Sequence, residues 1–251
     1  MTTRFPGGAA LVAASALMTP VLTATSQERT INVDDGRPLA AAVLELEKQQ
    51  GWVVTYEDPL YVESEGHDVS AQVRRSSSVG LPPKVLVPTG GPLSVTYQQP
   101  AKGDLAAEGS VVRHLVDAAG RSGYGHGFLV RRTGTVFHVI PLKAKDARTG
   151  ALVSTTSALD FLMKLEDRDY SVMEVVEAVV ARSKGRLVIG MIPSPERLMK
   201  VPVHLGTKAR PATQLLVDTL QASPWVLSWR ILCGPGDASG CVLNIHQVRP
   251  Q

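Results

Sequence analysis

The sequence predicts an α+β protein made of two tandem βαβ-βαββ modules, with helices packed against short mixed sheets. Two observations lead there. First, His114-Leu115-Val116-Asp117 slides onto Leu215-Leu216-Val217-Asp218, and the same shift carries Ser122 onto Ser223, Tyr124 onto Trp225, Phe128 onto Trp229 and Val130 onto Ile231. Second, upstream, Leu39, Ala42 and Leu46 fall on Met173, Val176 and Val180, with Gly51 on Gly185 and Val53-Val54 on Leu187-Val188. A shared pattern at module length is the signature of a repeat. The two shifts differ, so the first copy carries an insertion within about residues 58–92. That stretch holds Arg74-Arg75-Ser76-Ser77-Ser78, Pro82-Pro83 and Gly90-Gly91-Pro92, which is turn and loop composition.

Each element follows from its period. Residues 38–50 place Leu39, Ala42, Val43 and Leu46 on one helical face, with Pro38 at the first helical position and Gly51 at the stop. In the second copy Ser171 and Glu174 form a capping box ahead of Val175, Val176, Val179 and Val180. Valine is a poor helix former, so burial must hold this helix. Short apolar strands follow at Trp52–Tyr56 and Leu187–Met191. Strands at Leu93–Tyr97 and Val201–Leu205 lead to second helices near 109–121, with Ser110 as N-cap, and 211–222, with Pro211 at the first helical position. Each copy closes on a hairpin, its last strand Thr135–Ile140 or Cys241–Gln247. The modules are expected at 27–145 and 155–251, divided by the polar stretch Lys143–Gly150.

Residues 1–26 read as a secretory signal peptide. Arg4 precedes the apolar run Ala9–Met18, and Ala24-Thr25-Ser26 offers small residues for cleavage before Gln27. Ten helical residues span about 15 Å, half of a bilayer core of roughly 30 Å, so the run is too short to cross a membrane. The expected location is therefore periplasmic or secreted. The two cysteines, Cys233 and Cys241, flank a turn-rich segment between two strand-like runs, where an oxidising compartment would close a structural disulfide. Lys+Arg 26 against Asp+Glu 23 are interspersed without a basic stripe, which argues against nucleic acid as a partner.

The stretch Pro-Leu-Ala-Ala-Ala-Val-Leu at 38–44 runs into Gly-Trp-Val-Val-Thr-Tyr at 51–56. With the strand before Gly206, the helix holding Leu215–Leu220, and the closing hairpin Gly134-Thr135-Val136-Phe137, it resembles the short N-terminal module of secretins and TonB-dependent receptors. The likeness covers most of 30–142 and 168–247. It implies two helices packed between short sheets, and partners in a cell-envelope assembly: a secretin, a TonB-dependent receptor or a regulator facing one. The sequence departs from that pattern at the insertion and at Asp117-Ala118-Ala119-Gly120. Within the 251 residues the expectation is the module alone, without plug, barrel or secretin core.

Chemistry-bearing residues are sparse. Gly123–Gly127 follows a helix and leads into a strand, opposite to a phosphate cradle. Glu63, Glu65, His67 and Asp68 have metal-ligand chemistry within the insertion but read as a solvated loop. His114 and Asp117 share a helix face with Ser110 nearby, without a second-copy counterpart for the serine. His204 and His246 sit in strands with no neighbouring acid and read as ordinary strand residues. Trp52, Trp225 and Trp229 fit a core better than a sugar platform. The sequence thus expects no catalytic residue, metal site or cofactor. The reading is an exported, non-enzymatic protein-binding module, possessing open strand edges to which an extended partner segment can add. The alternative is an exported carbohydrate- or peptidoglycan-binding protein, or a metal-dependent enzyme using the insertion.

Overall fold

A computed structural model describes residues 27–73, 85–124, 127–146, 148–235 and 240–249. The signal-like stretch 1–26, Arg74 and Arg75 of the insertion, and Gly125-His126 lie outside the described residues. The chain is α+β. In the first half, β1 (Glu28–Asp35), α1 (Pro38–Gln50) and β2 (Val54–Glu57) are followed by the insertion. After it come β5 (Gly91–Gln98), α3 (Leu105–Arg121), β6 (Phe128–Thr133) and β7 (Val136–Pro141). The insertion itself holds a 3-10 turn at Glu63–Glu65, β3 (Gly66–Asp68), a one-turn helix α2 (Ser70–Val73) and β4 (Leu86–Pro88). In the second half the order recurs: β10 (Leu162–Ser171), α4 (Val172–Arg182), β11 (Leu187–Ile189), a one-turn helix α5 (Pro195–Leu198), β12 (Pro202–Pro211), α6 (Ala212–Gln221), β13 (Leu227–Cys233) and β14 (Cys241–Gln247).

The local signals act where the sequence places them. Pro38 opens α1 without a lost hydrogen bond, and Gly51 ends it at φ 71°, a left-handed conformation. Ser171 accepts from the Glu174 N–H at 3.1 Å while Glu174 accepts from the Ser171 N–H at 2.6 Å, a complete capping box. Several boundaries differ, among them β2, which begins at Val54, and β11, which ends at Ile189. Helix α3 starts at Leu105, not near 109, because the Asp104 carboxylate accepts from the N–H groups of Ala106 and Ala107 at 3.2 and 3.0 Å. Ser110 is therefore inside the helix, where its hydroxyl accepts from Arg113, and it is not a cap. Strand β12 continues to Pro211, which pairs with Leu162 and stands just before α6 without a capping bond, not at its first helical position.

Two ribbons, β1–β5 and β10–β12, are each antiparallel. The remaining long strands form one six-stranded sheet in the order β11-β14-β13-β2-β7-β6. Its central seam is the parallel pair β13–β2, with Arg230 opposite Tyr56 and Ile231 opposite Glu57. Neighbours across a sheet share a face, and residues along a strand alternate. Val54, Tyr56, Phe137 and Val139 therefore bury on one face, in a core with α1, α3 and the β1–β5 ribbon. Trp229, Ile231, Leu243 and Ile245 bury on the other, in a core with α4, α6 and the β10–β12 ribbon. The sheet is thus the middle of five layers: ribbon, helix pair, sheet, helix pair, ribbon. Lys143–Gly150 is no plain linker, since β8 (Lys143–Lys145) pairs with β9 (Leu152–Ser154) around it.

The insertion is not purely loop. β3 pairs with β4, and Tyr61 is buried with its hydroxyl donating to the Leu86 carbonyl at 3.1 Å. Strands of three residues are too short to show a period, so the composition of turn residues dominated the sequence.

Candidate functional site: the buried seam and the open edges

The seam between the halves gathers several buried ionisable groups, Glu57, Asp58 and His138 among them. Asp58, directly after β2, is 3% exposed and bonded to Arg37 at 2.6 Å. It also accepts from the Cys233 N–H at 3.0 Å and from the Tyr56 hydroxyl, while Arg37 donates to the Cys233 carbonyl at 3.0 Å. Burial pushes the Asp58 carboxyl up, and Arg37 pulls it back. The disulfide strand of the second half is thereby tied to the first.

Glu57 points to the opposite face. Its carboxylate accepts from the Ser157 hydroxyl at 2.7 Å and from the Ala158 N–H, so the segment entering the second half is pinned to β2. Burial pushes this carboxyl up to about 7, against the pull of those two bonds and of Arg186. Beside it His138 is buried against Trp229, ring centroids 5.5 Å apart, and bonded to Thr55 at 2.8 Å. Burial, then Arg131, holds the His138 imidazole down at about 4. A third link joins α1 to β14: Glu47 accepts from the Val54 N–H at 3.0 Å and meets His246 Nε2 at 2.6 Å. Beside Arg37 and Asp58 lies a cleft of about 130 Å³, bordered by Tyr61, Tyr124 and Phe128. That is below the roughly 300–1,000 Å³ of typical small-molecule pockets. Its charged lining is already paired, Arg37 with Asp58 and Glu65 with Lys145, which suits a joint better than a ligand site.

The sheet ends in two open strands. Among the described residues β11 has β14 as its sole strand neighbour, and β6 has β7. On β11 the Cys241 N–H bonds the Arg186 carbonyl and the Gly190 N–H bonds the Leu243 carbonyl. Backbone groups alternate sides along a strand, so those of Ile189 face outward. The rim there is apolar: Val188 is 50% exposed, Ile189 37% and Met191 74%. Soluble proteins usually blunt such edges with charge or proline.

Cys233 and Cys241 stand opposite each other across β13–β14 and are joined, S–S 2.06 Å, as the sequence expects. The insertion residues are separately engaged: Glu65 pairs with Lys145 at 2.6 Å, and Asp68 accepts from the Ser70 N–H at 2.8 Å. Among the described residues no three or more of His, Cys, Asp and Glu are grouped to hold a metal. His114 and Asp117 are exposed on α3, one and two turns beyond Ser110. The two strand histidines do have acidic neighbours, contrary to the sequence reading: His204 lies 2.8 Å from Asp169 and 3.2 Å from Asp167, and His246 meets Glu47. All three acids are remote in sequence and arrive by strand pairing or by the packing of α1. Trp229 is 3% exposed in the second core, and Trp52 and Trp225 pack at the cores' margins, so Trp229 offers no stacking face. Sequence reasoning passed over Arg37, Glu47, Glu57 and Asp58. The signal for one pair was present, since two adjacent acids directly follow an apolar strand run.

No family model, no curated protein and no solved structure matches the chain.

Proposed function

We propose that this is an exported, non-enzymatic protein-binding module that engages a cell-envelope assembly by accepting a partner strand at an open edge of its sheet. The observation that carries the reading is the β11 edge, with outward backbone groups at Ile189 and exposed Val188, Ile189 and Met191 along it. Main-chain bonds to an added strand supply affinity, and side chains on alternate faces supply selectivity. Two further features support it. Each half has two helices between a two-stranded ribbon and three strands of the sheet, the arrangement implied by the resemblance to secretin and TonB-receptor modules. The joined cysteines suit an oxidising compartment, and among the described residues no helix is long and apolar enough to cross a membrane.

The test is site-specific photo-crosslinking in intact cells from Val188, with Lys200 as a control position, followed by mass spectrometry. A secretin, TonB-dependent receptor or envelope regulator should appear in the Val188 adducts and be absent from those of Lys200. Identical adducts from both positions, or adducts confined to cytosolic proteins, would refute the proposal.

A further inference from the structure

The six-stranded sheet consists of one three-strand unit used twice. β2 and β11 each follow the first helix of their half, and β6 and β13 each follow the second. In the first unit the order is β2-β7-β6, and in the second it is β11-β14-β13. The seam joins β13, an edge of the β6 kind, to β2, an edge of the β11 kind. One unused edge of each kind is left over, and these are the two ends of the sheet.

Strand directions give the relation between the units. β2 runs parallel to β7 and antiparallel neighbours β7 and β6 close the first unit. β13 runs parallel to β2, while β14 and β11 run the other way. The second unit is therefore the first turned over about an axis in the sheet and across the strands, which is why its core lies on the opposite face. Applied once more, that operation sets a β6 edge beside β11, parallel to it. Applied twice, it returns the original orientation one chain further along. A contact of this head-to-tail kind does not close on itself.

We infer that the β11 edge of one copy pairs in parallel with the β6 edge of a second copy, repeating the β13–β2 seam and giving open-ended chains of this protein. The inference rests on the proposed use of the open edge, which a second copy fills when no envelope strand is bound there. The register follows from equivalent positions in the sheet, where Val54 matches Leu187, one residue off the sequence match of Val53-Val54 with Leu187-Val188. Tyr56 faces Val139 as Ile189 faces Leu243, and Val130 faces Val139 as Ile231 faces Leu243. The seam pairs Arg230 with Tyr56 and Ile231 with Glu57, so the copies pair Leu129 with Ile189 and Val130 with Gly190. Gly190 then stands where the seam has Glu57, while Met191, at the place of Asp58, donates its N–H to Asn244 Oδ1 at 2.9 Å and accepts from the Ile245 N–H at 2.8 Å, so the outward pairing of β11 centres on Ile189. The contact between copies lacks the buried ion pair and brings the exposed Arg131 and Arg132 of β6 to its margin, so it is weaker than the seam and reversible.

Sedimentation velocity of the full chain with its disulfide intact, over a dilution series, tests this. Ile189→Lys places a charge on the β11 edge, and Arg132→Pro disrupts the β6 edge at a position equivalent to Cys233, whose N–H faces β2. The wild type should grow with concentration through two, three and more copies. Each variant alone should remain a single chain, and an equimolar mixture should form a dimer and stop, since each brings one intact edge. Circular dichroism and thermal melting confirm that both variants fold. A wild type that stays monomeric, growth that neither substitution reduces, or a mixture that stays monomeric overturns the inference. If the wild type is monomeric while I189K abolishes the Val188 adducts, the edge binds another protein and only the occupant named here is lost.

Discussion

Glu57 stands opposite Ile231 across the parallel seam, a buried carboxyl beside a fully buried aliphatic side chain of the second core. Its neighbour Asp58 is paired with Arg37, whereas Glu57 is held by hydrogen bonds, with Arg186 acting on it from beyond ion-pair distance. That difference determines how the molecule responds to pH.

The Glu57 carboxyl is raised from 4.5 to about 7, so the folded state holds its proton more tightly than the unfolded state. Its stabilising contribution is full below about 4.5 and is lost as pH rises through 7, a change of about 3 kcal/mol. His138, lowered from 6.5 to about 4, acts in the opposite sense, and its contribution is lost as pH falls through that window. Between about pH 4.5 and 6.5 the two slopes oppose each other. Urea unfolding of Glu57→Gln across this window should show stability rising with pH by about 1.4 kcal/mol per unit relative to wild type. An unchanged slope would mean that Glu57 titrates normally.

Removing Arg37 leaves Asp58 buried with its charge unmatched. Arg37→Met should cost about 3–5 kcal/mol, the range for breaking a buried pair from one side. Urea denaturation with the tryptophan signal of Trp229 reports it, and a loss under 1 kcal/mol would show that water reaches Asp58.

The disulfide closes a short loop, with a sequence separation of 8. Loop entropy predicts that the Cys233→Ala, Cys241→Ala double variant loses about 2–3 kcal/mol. The midpoint of chemical unfolding should fall with little change in slope. An equal loss in the reduced wild type would confirm that the bond, not the side-chain packing, is responsible.

The two cores draw almost wholly on their own halves: among the described residues Val136 is the one buried member of the second core from before residue 155. Residues 155–251 with oxidised cysteines should therefore unfold cooperatively alone, as the sequence expects. They would, however, present an uncovered β13 edge, and adding residues 27–145 should form a one-to-one complex in size-exclusion chromatography. A fragment without cooperative unfolding would show that the seam is required for either core to form.

Much of the architecture lies in the linear pattern because helices and strands report through near neighbours. The apolar stripe of Leu39, Val43 and Leu46, the Ser171–Glu174 box, Gly51 and the duplicated aromatic positions 128 and 229 specify the elements, their order and their inner faces. The disulfide was legible for the same reason, since its partners are joined by a short turn. Tertiary structure alone decided that the halves share one sheet, that their cores lie on opposite faces, and that Arg37, Glu47, Glu57 and Asp58 form the joint. Strand edges carry no side-chain signature, because the groups that pair are the backbone N–H and C=O that every residue but proline shares. Which edge meets which is fixed only when both halves have folded and two buried carboxylates find donors from the far half of the chain.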